Sequence, residues 1–145
     1  MSAEKLLLRR KLREEMNRLL DTRETDRGLE ISLSDLLFPT SRAVLPLATR
    51  EKLAKISGIL LAYPGLRVRV EGHADGTGRE AFNRRLSLAR ARAVAGFLNR
   101  QGLPPESVNA EGHGSARPIA SNSTSAGRQM NRRVEIILTG KPIGF

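Results

Sequence analysis

Over residues 3–27, Leu8, Leu12, Met16 and Leu19 recur at helical spacing among Arg, Lys and Glu. The pattern predicts one amphipathic helix, with Gly28 as its stop. The period then changes. Leu29, Ile31 and Leu33 alternate with Glu30 and Ser32, as in a half-buried strand. Residues 36–42 read as a loop holding Phe38 and Pro39. Leu53, Ile56, Leu60 and Tyr63 mark the inner face of a helix from about Pro46 to Tyr63, which Pro64-Gly65 ends.

Leu66, Val68 and Val70 alternate with Arg67, Arg69 and Glu71, a strand with one apolar face. A glycine-rich loop follows, Gly72 to Gly78. Thr77 and Glu80 have capping-box spacing and predict a helix start between them. That helix runs to about Arg100, where Gly102 and Pro104 give the stop. At 100° per residue, Phe82, Leu86, Ala89, Ala93 and Phe97 are expected to form its buried face, with Arg90 on one edge and Asn83 almost in line with Arg90. A short strand over 108–112, a polar loop with one helical turn over 113–131, and a strand over 134–138 complete the chain. The order predicts an α/β (α+β) sandwich: a small mixed sheet of about four strands under two main helices, plus the N-terminal helix. Residues 1–28 then form a helical extension, 29–140 the main domain and 141–145 a tail. The extension is expected to dock on its own domain or to pair with another helix, self-association included.

Composition narrows the function. The chain lacks Cys, which excludes disulfides and thiolate metal sites. Its net charge is +10. Residues 1–30 carry 8 basic and 7 acidic side chains, and residues 31–145 carry 17 and 8, so the excess belongs to the main domain. Arg79, Arg84, Arg85 and Arg92 fall on the outward side of one helix. They read as a solvated face that can also attract an anionic partner.

One constellation is specific. Gly72-His73-Ala74-Asp75, then Asn83, then Leu86-Ser87-Leu88-Ala89-Arg90-Ala91, is followed by Gly112-His113-Gly114, Pro118, Asn122, Gly127-Arg128 and Asn131-Arg132-Arg133-Val134-Glu135-Ile136. In this order and spacing the set resembles the OmpA-like peptidoglycan-binding domains, over roughly residues 29–139. The resemblance implies a ligand, the end of meso-diaminopimelate that carries an ammonium and a carboxylate on one carbon. It implies that Asp75 takes the ammonium and Arg90 the carboxylate, with Asn83, the Ala74 backbone, Phe38, and Arg132 or Arg133 around them. A guanidinium fork suits a carboxylate, which a lysine would not match. Ala74 departs from the family's threonine, so one side-chain hydrogen bond is missing. The resemblance further implies a periplasmic, outer-membrane-associated protein that tethers membrane or envelope assemblies to the wall. No apolar leader segment is visible, so the export signal and anchor are expected outside this chain.

Other chemistries fit less well. His73 and His113 stand forty positions apart without further clustering, so no metal site is expected. Ser87, His73 and Asp75 could be drawn as a triad, but no nucleophile elbow accompanies them. No Gly-Lys-Ser/Thr follows the glycine loop, so no phosphate-cradling loop and no cofactor is expected. Neither is enzyme activity. A basic nucleic-acid-binding or protein-interaction module is the rival. Aromatic residues at 3% leave almost no stacking platform, and nucleic acid is not an expected partner.

Overall fold

The computed structural model covers residues 1–145 and has one five-stranded sheet. The elements are α1 (Ala3–Asn17), β1 (Thr22–Thr25), β2 (Gly28–Ser34), α2 (Leu47–Leu61), β3 (Arg67–His73), α3 (Glu80–Arg100), β4 (Val108–Gly112), α4 (Ser125–Asn131) and β5 (Arg133–Thr139). The strand order is β1-β2-β5-β3-β4. Only β3 and β4 run parallel, joined by the α3 crossover; the other pairings are antiparallel. This is the predicted α/β sandwich with one strand more than expected. No helix is long and apolar enough to cross a membrane.

The extra strand comes from residues read as helix. The helix expected over 3–27 ends at Asn17. The Asn17 carbonyl Oδ1 accepts the Thr22 N–H at 2.9 Å, and Thr22–Thr25 then pairs with Gly28–Ile31 as a hairpin. Two β-branched threonines lose less in a strand than in a helix. Gly28, read as a helix stop, instead opens β2 at φ +138°. Leu12 and Met16 are fully buried, so residues 1–28 supply core and sheet together. The last residues fold back over the same helix. Arg9 donates from Nε to the Ile143 carbonyl at 2.8 Å, and its guanidinium lies 4.1 Å from the Phe145 ring centre.

All the main apolar packing is on one side of the sheet. Leu29, Ile31 and Leu33 of β2, Val68 and Val70 of β3, and Val134, Ile136 and Leu138 of β5 meet Leu53, Ile56 and Leu60 of α2 and Ala91, Val94 and Leu98 of α3. The buried side of α3 is Asn83, Ser87, Arg90, Ala91, Val94, Ala95, Phe97 and Leu98. That corrects the expected face: Phe82 is 45% exposed, and Asn83 and Arg90 point inward. The apolar count favoured Phe82, but the polar residues have partners that make their burial cheap. The Thr77–Glu80 capping box does not form either. Arg79 is the N-cap without a side-chain bond, Thr77 turns back to Asp75, and Glu80 accepts the Ser115 N–H at 3.0 Å.

Two glycines set how closely α3 lies on the sheet. A Cβ on Gly72 would sit 1.9 Å from the Ser87 carbonyl oxygen, and one on Gly112 would sit 2.5 Å from Leu88 Cβ and N. Backbone cannot yield as a flexible side chain can. Gly72→Ala and Gly112→Ala are each expected to destabilise the fold by about 2–3 kcal/mol, the upper part of the overpacking range. Urea unfolding with an unchanged slope checks this. Leu12→Ala should cost a comparable or larger amount, about 2–5 kcal/mol, because α1 is part of the core.

Candidate ligand-binding site

The close seat of α3 brings the C-terminal end of β3 beside the first turns of α3. Asp75 lies two residues past the end of β3, and Asn83 and Arg90 look across from α3. The segment 35–41 and the α4–β5 junction close the other sides. Together they enclose a cavity of about 540 Å³, lined among others by Asp35, Phe38, Asp75, Asn83, Arg90 and Arg132. Ala74 lines it too. The Ala74 N–H is donated to the Gly114 carbonyl at 2.8 Å, so its carbonyl is the backbone group left to face a ligand.

The charges alternate around the wall. Arg132 donates from Nη1 to Asp75 Oδ2 at 2.6 Å, from Nε to Asp35 Oδ2 at 3.0 Å and from Nη2 to Gln129 Oε1 at 2.8 Å. Asp75 is paired with Arg132, not with Arg90. Its other oxygen accepts the Thr77 N–H at 2.8 Å and the Thr77 hydroxyl at 2.5 Å. Burial pushes the Asp75 carboxyl up, but the Thr77 donors and the Arg132 guanidinium together hold it below the ordinary range. The group is therefore a fixed anion at neutral pH.

Arg90 is a second fixed cation, positioned by the loop it faces. Its Nε donates to the Arg42 carbonyl at 2.9 Å and its Nη2 to the Pro39 carbonyl at 3.3 Å, while Nη1 stands 4.0 Å from Asp35 Oδ2. The guanidinium carbon lies 4.8 Å from the Phe38 ring centre, a cation–π distance. Phe38 is both a core residue and part of the cavity wall. Asn83 donates to the Thr77 carbonyl at 2.8 Å and so fixes the loop that carries Asp75.

Arg133 lies outside this cavity. It is buried, donates from Nε to Glu135 at 2.6 Å, and reaches the Asn131 and Arg117 carbonyls. The pair Arg132-Arg133 is divided by strand alternation: Arg132 turns to the cavity and Arg133 to the other face of the sheet. Two residues outside the sequence reading, Asp35 and Gln129, shape the site. Asp35 faces both arginines, and Gln129 orients Arg132. Asn131 accepts the Ile119 and Ala120 N–H groups and donates to Asn122, whose carbonyl in turn accepts the Gly76 N–H at 3.0 Å. Asn122 and Asn131 stood in the motif, but their role is visible only once α4 is folded against the Asp75 loop. Asn131→Ala is expected to destabilise by about 1–2 kcal/mol, because the Ile119 and Ala120 N–H groups lose their shared buried acceptor. Hydrogen exchange should speed at Gly76, Ile119 and Ala120 before it does in β3.

The chain is similar to known proteins in sequence and in fold. A model of the OmpA family matches residues 37–132. The chain is 40% identical over 114 residues to the outer-membrane lipoprotein YfiB of Pseudomonas aeruginosa, a match covering 78% of this chain and 68% of that protein. It is 41% identical over 103 residues to the peptidoglycan-binding protein ArfA of Mycobacterium bovis, covering 71% of this chain but only 32% of that one. Among solved structures, the cell wall anchor of the T6SS from Pseudomonas aeruginosa superposes with a TM-score of 0.77 at 26% identity, covering 97% of this chain and 100% of the other.

Proposed function

The chain belongs to the OmpA family, and we propose that it binds cell-wall peptidoglycan without covalent chemistry, receiving the zwitterionic end of meso-diaminopimelate in the cavity between Asp75 and Arg90. It works in the periplasm as an envelope-associated protein, the setting of the outer-membrane lipoprotein it resembles. The observation that carries the reading is the charge order of the cavity. Asp75 and Asp35 alternate with Arg132 and Arg90 inside about 540 Å³, so an ammonium and a carboxylate on one carbon each find an opposite charge within a side chain's reach.

The ammonium displaces Arg132 from Asp75 Oδ2, and Thr77 keeps the carboxylate aimed while the exchange occurs. The carboxylate meets Nη1 of Arg90, which the Arg42 and Pro39 carbonyls leave uncommitted. Arg132, released from Asp75, remains tied to Asp35 and can add a second contact. Asn83 and the Ala74 carbonyl orient the head group, and the Phe38 ring supports Arg90 from beneath. Every charge swap exchanges one partner for another, so no bare ion is left in a half-buried site. The net gain per contact is therefore modest, and the repeating polymer raises the hold by avidity. Binding is the whole event; the polymer is held, not cut. An anchor beyond these residues would make the same contact a tether between membrane or envelope assembly and wall.

Co-sedimentation with purified sacculi tests the assignment. Asp75→Asn and Arg90→Lys should each weaken pelleting about tenfold or more, the loss of one charge-assisted contact. Arg90→Lys retains charge but cannot hold two loop carbonyls and a carboxylate together. Thermal unfolding of each variant separates loss of the contact from loss of the fold. Parent-like pelleting by folded Asp75→Asn would show that the wall is held elsewhere.

A further inference from the structure

The face of the sheet turned away from the helices carries a second charged cluster that wall binding does not use. The parallel pairing of β3 with β4 sets Glu71 opposite Glu111 and Gly72 opposite Gly112, each pair followed by a histidine. Two Glu-Gly-His tripeptides, far apart in sequence, are thus laid side by side. The glycines face α3, so the glutamates and histidines share the opposite face. The His73 and His113 rings stack with centres 5.2 Å apart. Glu135 joins from β5, in register with Glu71.

Three atoms here are buried and lack any hydrogen-bond partner: Glu71 Oε1 and both ring nitrogens of His73. Glu71 is 0% and His73 4% exposed. Leaving such groups unpaired is costly, and polar atoms in this state call for a partner, a bound ion among the candidates. They converge on one point. His73 Nε2 stands 3.5 Å from Glu71 Oε1, and one donor atom each from Glu71, His73 and Glu135 lie within 4.8 Å of one another. Glu71, Glu111 and His113 form an overlapping set at the same spacing, with His113 Nε2 3.1 Å from Glu111 Oε2.

We propose that this cluster binds a divalent transition-metal ion of the zinc class, with Glu71, His73 and Glu135 as the inner donors and Glu111 and His113 on its flank. Neighbouring donors around tetrahedral zinc stand about 3.4 Å apart, given metal–ligand bonds of about 2.1 Å. The Glu71–His73 separation already matches this. One imidazole with carboxylates suits zinc, nickel or cobalt better than magnesium or calcium, which take oxygen alone.

The surrounding arginines shape the site without filling it. Arg27, Arg69 and Arg117 all approach Glu71 Oε2, leaving Oε1 turned to His73. All three are partly exposed arms that can swing aside as the ion enters. Arg133 occupies Glu135 Oε1 and is the competitor that limits affinity.

The experiment is a zinc titration of tag-free, chelator-treated protein, read by calorimetry and by the imidazole nitrogen resonances of both histidines. The expected result is a single saturable site per chain, a shift of the His73 ring nitrogens at saturation, and no competition from excess magnesium. His113→Gln, on the more open strand, should weaken zinc about tenfold or more, as loss of a flanking partner does elsewhere. Glu71→Gln should weaken it further if that variant remains folded. An unmoved His73 resonance in the parent protein, or no saturable zinc binding, overturns the proposal whatever the variants do. Sacculus binding by the parent is expected to be the same with and without zinc, so this result stands apart from the wall-binding reading.

Discussion

The seat of α3 on the sheet governs the rest of the molecule. Gly72 and Gly112 leave no room for a side chain between β3, β4 and the backbone of α3 around Ser87 and Leu88. That contact fixes Asp75, two residues past the end of β3, against Asn83 and Arg90 on the helix. The Ser87 hydroxyl accepts the Gly114 N–H at 3.0 Å and ties the second glycine loop to the same turn of the helix. Strand alternation does the remainder. With glycine facing the helix, the residues on either side of it face outward, which gathers Glu71, His73, Glu111 and His113 on the far side. One steric constraint therefore shapes both the cavity and the outer cluster.

Inside the cavity, charges are arranged so that none is unpaired before a ligand arrives. Arg132 spans Asp35 and Asp75, and Arg90 spans two loop carbonyls and approaches Asp35. On the proposed reading a ligand there exchanges existing partners for new ones, which favours selectivity over raw affinity. A ligand carrying only one of the two charges would break a bridge without replacing it. The charge on the outer arginines is a different matter. Arg79, Arg84, Arg85 and Arg92 are all exposed, and their field is long-range and screened by salt.

Much of this was legible in the residues. Alternation located β2 and β3 because each has one apolar and one polar side, and the Gly72–Asp75 and Asn131–Ile136 motifs located the cavity's ends. Where the reading failed, a partner distant in sequence had decided. Residues 18–27 look helical alone, but β2 gives Thr22–Thr25 a strand to pair with. Phe82 looked like core, yet Asn83 and Arg90 are buried because Thr77, Pro39 and Arg42 satisfy them. Asp35 carried no motif, and its place beside both arginines follows from a turn that only the fold positions. Likewise the two histidines seemed unrelated at a separation of forty positions, because parallel register is not visible along one chain.

The central claim is that one zwitterionic carbon is met from both sides, by Asp75 and by Arg90. The most direct measurement is a titration with two soluble stem peptides followed by arginine Nε–H and Asn83 side-chain resonances. One peptide carries meso-diaminopimelate at its third position, and the other carries lysine, which keeps the ammonium and lacks the carboxylate. The account predicts that the diaminopimelate peptide shifts Arg90, Arg132 and Asn83 together in a saturable manner, and that the lysine peptide leaves Arg90 unmoved at the same concentration. Equal shifts from both peptides, or shifts confined to residues outside the cavity, would contradict it.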